Sequence, residues 1–144
     1  MASFQSPPPS TIIPASPLRI SQACDDGKTF AELFYEKMDK QRHAMVNLFH
    51  ESASLVWNGN HIQGKSAVVS FLEQLPVSET ELTCIDAQPV LDLPALGGQQ
   101  TITVICGGRQ KHGNNKYKHF TESFMLTAEQ NVWKVVSDTY RNFE

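Results

Sequence analysis

The sequence predicts an α+β fold, with helices packed on one face of an antiparallel sheet. Three observations predict it. Apolar residues recur at helical spacing through the first half of the chain, and alternating segments rich in β-branched and aromatic residues fill the second half. Between two short apolar runs stands an Asn-Gly pair, Asn58-Gly59 within WNGN. Helices followed by strands is the order of an α+β chain. Asn-Gly between apolar runs marks a two-residue hairpin whose central residues both need φ > 0.

The first segment, MASFQSPPPSTIIPASP, holds five of the eight prolines and almost no charge. It lacks an amphipathic period and cannot bury enough surface to offset its ordering entropy. Residues 1–17 therefore read as a disordered tail, and 18–144 as the folded domain. Ser6-Pro7 and Ser16-Pro17 have the form of proline-directed phosphorylation sites; an inert tail is the alternative.

From Leu18 the pattern is helical: Ile20, Ala23, Phe30, Leu33, Phe34 and Met38 fall at spacings of three, four or seven, with Gly27 weakening the middle. Ala44, Met45, Leu48 and Phe49 form the apolar face of a second, short helix. The hairpin pairs Ala53–Trp57 with Asn60–Gln63 and ends at Gly64. A third helix covers Lys65–Leu75 and stops at Pro76. Four strands follow, Glu81–Leu91, Thr101–Arg109, His119–Thr127 and Val132–Phe143.

A chain of 144 residues suits one domain with a sizeable core. Its net charge of −3 argues against a dedicated binder of phosphate backbones, while leaving room for a local basic patch. The three cysteines, Cys24, Cys84 and Cys106, form no C-x-x-C pair, so free thiols in a reducing compartment are expected. No His or Cys pair has ligand spacing, so no metal or cofactor is expected. No apolar stretch approaches the roughly 20 residues that cross a bilayer. A soluble intracellular protein is the expectation.

Helices can cover one face of the sheet, and the other is not cleanly polar. In the last strand, Val132, Val136 and Tyr140 share one side, and Trp133, Val135, Thr139 and Arg141 the other if no bulge intervenes. Thr121, Ser123 and Met125 oppose Phe120, Phe124 and Leu126 in the same way. A mixed face of Trp, Val, Met, Thr and Ser suits a partner surface. A twisted sheet with some apolar exposure is the alternative.

The run FYEKMDKQRHAMVNLFHESASLVWNGNHIQGKSAVVSFLEQLP resembles the nuclear-transport-factor-2-like family, and within it the branch of small subunits of mRNA export heterodimers. The match continues through IDAQPV, VICGG, HFTESFMLTA and VWKVVSDTYR, nearly everything after the tail. The resemblance implies a cone, a curved antiparallel sheet wrapped around three helices, whose convex face makes a dimer. It implies a non-enzymatic transport cofactor that heterodimerises with a large nuclear RNA export receptor. Nucleoporins and RNA are then reached indirectly, through the complex, and the pair shuttles between nucleus and cytoplasm.

The same resemblance argues against the homodimeric import carriers of the GTPase Ran. In those carriers a glutamate follows the tryptophan of this motif; here Asn58 does. Where they carry acids, in the loop between the fourth and fifth strands, this chain has Arg109, Lys111, His112, Asn114, Asn115, Lys116 and Lys118. The expected partner-binding set is Arg141, Thr139, Met125, Ser123, Val104 and Gln88. Arg141 leads it, because a guanidinium on an apolar face calls for a bidentate acceptor, and the resemblance places an acid of the large subunit there. Trp57 either packs on the third helix and closes the rim, or offers an exposed ring to Phe-Gly repeats of nucleoporins.

Two other classes compete. Cone folds also host enzymes that use an inward Asp or His beside a Tyr; the candidates here are Asp86, Asp138, Tyr35 and Tyr140. Large rings at Phe30, Phe34, Phe71, Phe120, Phe124 and Tyr140 would instead fill that cavity. Direct nucleic-acid binding would use Lys111, Lys116 and Lys118 with Tyr117, for which a solvated loop is the default.

Overall fold

The computed structural model describes residues 13–15, 20–90 and 100–143. Helix α1 (Ile20–Lys40) leads into a short 3-10 helix (Arg42–Leu48), the hairpin β1 (Phe49–Trp57) and β2 (Asn60–Gln63), and helix α2 (Lys65–Gln74). Then come β3 (Ser78–Val90), β4 (Thr101–His112), β5 (Lys118–Glu129) and β6 (Val132–Phe143). One six-stranded sheet runs β2-β1-β6-β5-β4-β3. No helix of the described residues is long and apolar enough to cross a membrane.

The sheet is mixed, not antiparallel throughout: β1 and β6 pair in parallel. Strands β3 to β6 pair antiparallel in chain order. Strand β1 reaches β6 from the other end of the chain, so no tight turn dictates its direction. The hairpin turn has the predicted geometry, with φ of 47° at Asn58 and 85° at Gly59.

Helix α1 lies in the concave side of the sheet and buries Ala23, Phe30, Ala31, Phe34, Tyr35 and Met38. Its Gly27 is a contact point rather than a weak spot. A Cβ there would lie 2.5 Å from the Ala87 Cβ on β3 and 3.2 Å from a Val104 methyl on β4. Beside it, Asp26 is buried and accepts a hydrogen bond of 3.0 Å from Trp133 Nε1 on β6.

That bond depends on a bulge that alternation alone does not reveal. Met125 pairs with Ser137 and Leu126 with Val135, leaving Val136 unmatched. The extra residue reverses the facing of everything before it. Trp133 and Val135, expected on the partner face, are therefore fully buried, and Val132 and Val136 leave the core. Asp138 and Tyr140 point inward with them.

The N-terminal expectation also needs correction where the structure describes it. Ile13–Ala15 is not free of the domain: Pro14 bridges to Val132, Ala15 N donates to Asn131 O at 2.7 Å, and Trp133 N donates to Ile13 O at 3.0 Å. Ile13 and Ala15 pack against the core. The rest of the 1–17 segment, with Ser6 and Ser16, lies outside the described residues, as do Leu91 and the following Pro-Ala-Leu-Gly-Gly connection.

Arg42 ties the wide end of the assembly together. Its guanidinium donates to four backbone carbonyls, those of Met38, Leu72, Leu75 and Pro76, and to Ser78 Oγ. It thus gathers the C-terminal end of α2 and the residues just after it, where helix carbonyls run out of intrahelical donors. Asp39 completes the joint by accepting from Ser78 Oγ (2.6 Å), Thr80 N (2.8 Å) and Thr80 Oγ1 (2.9 Å). Arg42→Ala is expected to destabilise the domain by about 2–3 kcal/mol in urea unfolding. Arg42→Lys should recover little of that, because one ammonium cannot fork across four carbonyls.

Candidate functional site

Two regions carry the candidate residues, the outer face of the sheet and the interior beneath it. On the outer face the register places side chains in rows across the strands. One row runs Val56, Thr139, Ser123, Ile105 and Asp86. The next runs Ser54, Ser137, Met125, Thr103 and Gln88. A third holds Arg141, Thr121, Gly107 and Cys84.

These rows bring together five of the six residues expected to bind a partner: Arg141, Thr139, Met125, Ser123 and Gln88. The sixth, Val104, is a correction. It points inward with Ile102 and Cys106, all three fully buried in the core. Its neighbour Ile105 takes the outer position and is 49% exposed, beside Met125 at 36%. Ile105 was legible in principle: Ile102, Val104 and Cys106 form the apolar set at period two, which leaves Ile105 for the other side. Asp86, expected as a candidate inward acid, is also exposed on the outer face.

The result is a small apolar centre of Ile105 and Met125, ringed by Ser and Thr hydroxyls. Arg141 stands at one side, exposed and without an ion pair to any described residue. A lone guanidinium next to an apolar centre is complementary to a carboxylate carried on an apolar surface.

The interior holds a different group. Tyr35 donates to Glu122 Oε1 at 2.8 Å, and Asp138 lies beside Glu122 on the neighbouring strand. Glu122 was missed, although its alternation with Phe120, Phe124 and Leu126 already assigned it to the core side. Burial, then the Glu122 charge, holds the Asp138 carboxyl well above the usual carboxylate range. Burial also raises Glu122, against the lowering effect of Asp138 and Tyr35 beside it. Both Asp138 oxygens are buried without a hydrogen-bond partner among the described residues. Burial beside Glu122 thus favours the neutral, protonated form of Asp138. Burial and the Glu122 charge push the adjacent Cys106 thiol up to about 12.

Above this pair the cone is closed by rings. Trp57 stacks on Tyr140 at 3.8 Å between centroids and 6° between planes, with Phe71 and His112 edge-on at 5.6 and 5.8 Å. Phe71 belongs to α2, so Trp57 packs on the helix and closes the rim. Tyr140 donates to Gln110 Oε1 at 2.6 Å, an atom also 3.1 Å from His112 Nε2. Burial, then the Arg42 charge, lowers the His112 pKa and keeps its ring neutral. The remaining gap, about 200 Å³ between Phe34, Tyr35, Met38, Trp57, Leu72, Gln110, Glu122 and Tyr140, is nowhere wide enough for a water molecule.

The basic segment expected as a loop is mostly strand: Arg109, Lys111 and His112 belong to β4 and Lys118 to β5. Asn58 has a structural task, its Oδ1 accepting from Asn142 N at 3.0 Å.

Comparison with known proteins places these features. The model of the nuclear transport factor 2 (NTF2) domain matches residues 27–142. NTF2-related export protein 2 of Mus musculus is 40% identical over 126 residues, covering 85% of this chain and 88% of that protein. NTF2-related export protein 1 of Bos taurus is 38% identical over 126 residues, 85% of this chain and 89% of its own. Among solved structures, nuclear transport factor 2 from Cryptosporidium parvum superposes with a TM-score of 0.71 at 21% identity, over 85% of this chain and 94% of its own.

The buried acid pair sets a pH dependence. The folded chain retains a proton that the unfolded chain releases near pH 4. Stability from this pair is therefore complete below that pH and is lost as pH rises toward the raised folded value, by at most about 1.4 kcal/mol per pH unit for one proton. Asp138→Asn should flatten this decline, as measured by urea unfolding at a series of pH values. An equally steep decline in Asp138→Asn would show that the proton is not held there.

Proposed function

The chain belongs to the nuclear transport factor 2 domain family, and on that premise we propose that it is a non-enzymatic export cofactor pairing through its outer sheet face with a larger nuclear RNA export receptor. The pair supports passage of messenger RNA through the nuclear pore and shuttles between nucleus and cytoplasm. Nucleoporins and RNA are engaged through the complex.

The observation that carries this reading is the outer face itself. Ile105 and Met125 form an exposed apolar centre on paired strands, with Ser123, Thr139 and Thr103 beside them in the register. Arg141 supplies the charge that orients a partner bearing an acid. Export proteins are the relatives, and their names concern transport rather than catalysis. The interior supports the same conclusion: its carboxyls sit under stacked rings, in a gap without room for water or substrate. The neutral Asn58 is already engaged with Asn142, and cations surround the end of the β4–β5 hairpin, features that disfavour Ran.

Arg141→Asp would place two acids against each other across a desolvated interface. Breaking a buried pair costs about 3–5 kcal/mol, so the complex should weaken at least about a hundredfold. The isolated domain should melt as before, because Arg141 is exposed. Ile105→Asp should have a similar effect on co-purification with the receptor. If both variants still co-purify, the outer face is not the interface. A second check uses calorimetry with GDP-loaded Ran at low salt, where no saturable heat is expected; a micromolar complex would favour an import carrier.

A further inference from the structure

Strand β1 leaves its ladder with β6 between Phe49 and Ser54. Phe49 pairs with Val135 and Ser54 with Ser137, so His50, Glu51, Ser52 and Ala53 stand against Val136 alone. Such irregularities re-aim side chains. Here Ser52 Oγ lies 2.8 Å from His50 Nδ1. The ring's other nitrogen, Nε2, is 2.7 Å from Glu129 Oε2 at the end of β5. Hydroxyl, imidazole and carboxylate thus form one chain, drawn from two strands that β6 separates.

The backbone fixes the direction of this chain. Ser52 N donates to His50 Nδ1 at 3.1 Å. A backbone N–H can only donate, so Nδ1 carries the lone pair, and the Ser52 hydroxyl must donate to it as well. In the neutral ring the proton is then on Nε2, where it donates to Glu129. That is the order of a nucleophile, a base and an orienting acid, a set recognised by geometry and not by sequence position. Ser52 is exposed, and the His50 and Glu129 side chains are 25% and 40% exposed, so a reagent can reach the hydroxyl. Lys134 of β6 lies within electrostatic reach of Glu129, Glu51 and Lys65, and Lys65 pairs with Glu51 at 3.4 Å.

We propose that Ser52 is a covalent modification site, an activated nucleophile that accepts the acyl group of an ester with a good leaving group, with His50 as its general base and Glu129 holding the ring. In the step, Ser52 Oγ bonds to the acyl carbon, and the bond from that carbon to the leaving oxygen breaks. The proton leaves Oγ for His50 Nδ1 and passes on to the departing oxygen or to solvent. Glu129 keeps the ring oriented and faces the imidazolium formed in between. These three residues supply a base but no donors for the developing oxyanion, which restricts the donor to an activated one. The inference concerns this chain alone and does not rest on receptor pairing.

The test incubates the full chain with a fluorophosphonate probe and locates the label by peptide mass spectrometry. The phosphorus of the probe takes Ser52 Oγ and releases fluoride, so it reports the same activation. Ser54, two residues further along β1, is the internal reference. A positioned base contributes about 10²–10⁴-fold, so Ser52 should be labelled at least about a hundredfold faster than Ser54. His50→Gln should remove that advantage, together with the rise in rate that accompanies loss of the imidazolium proton. Glu129→Ala should slow labelling at least about tenfold and shift the ring nitrogen resonances of His50 from the Nε2–H form toward a mixture of tautomers. A Glu129 that only tied the strands together would leave the tautomer unchanged, which would overturn its assignment. p-Nitrophenyl acetate should place an acetyl group on Ser52 of the unchanged chain. No label on Ser52, equal label on Ser52 and Ser54, or a His50→Gln variant labelled at full rate overturns the proposal. The comparison of Ser52 with Ser54 is made within one molecule, so it decides even where a variant fails to fold.

Discussion

The close approach of α1 to the sheet at Gly27 is the constraint on which the rest depends. The helix backbone there leaves no room for a Cβ against Ala87. A larger residue would hold the helix off the strands and open the core to voids, each costly to a packed interior. Gly27 lets Asp26 reach the Trp133 indole, which pins the start of β6 to the helix. The bulge at Val136 is what turns that tryptophan inward. Glycine, bulge and buried hydrogen bond are thus one device, and the curvature of the sheet around α1 follows from it.

The same curvature creates an interior that must be filled. Rings do most of this: Phe34 packs against Tyr35, Phe49 and Phe124, and Trp57 closes the rim over Tyr140. The polar remainder is a pair of acids. Glu122 and Asp138 are both buried, and two charges so close would repel strongly. Burial raises the pKa of both, and the Tyr35 hydroxyl donates to Glu122. The gap above the pair has no room for a water molecule, and the Tyr35 hydroxyl joins α1 to Glu122 on β5.

With the interior filled, the proposed function draws on the outer face instead. The outer face is stiff, because each residue in it belongs to a strand paired on both sides, apart from the edges at β2 and β3. Rows of short hydroxyl side chains around Ile105 and Met125 lose little conformational entropy when covered. Arg141, with no ion pair to any described residue, adds a charge to that surface.

Much of the fold was legible in residue order. The helical spacing of Phe30, Phe34 and Met38, the alternation of the four long strands and the Asn58-Gly59 turn are local signals, and local sterics are enough to express them. The motifs from WNGN to the final SDTYR likewise carried the family. The candidate face was legible in part: alternation assigned Ser123, Met125 and Thr139 to it, while the expected set wrongly included Val104 and omitted Ile105. What the sequence alone left open lies between distant segments: the parallel β1–β6 pairing, the docking of Ile13–Ala15, the inward turn of Trp133 and Val135, and the proton that burial beside Glu122 holds on Asp138. Tertiary structure decided these because a bulge, a strand direction or a retained proton is set by what stands opposite, and a residue's sequence neighbours do not determine that.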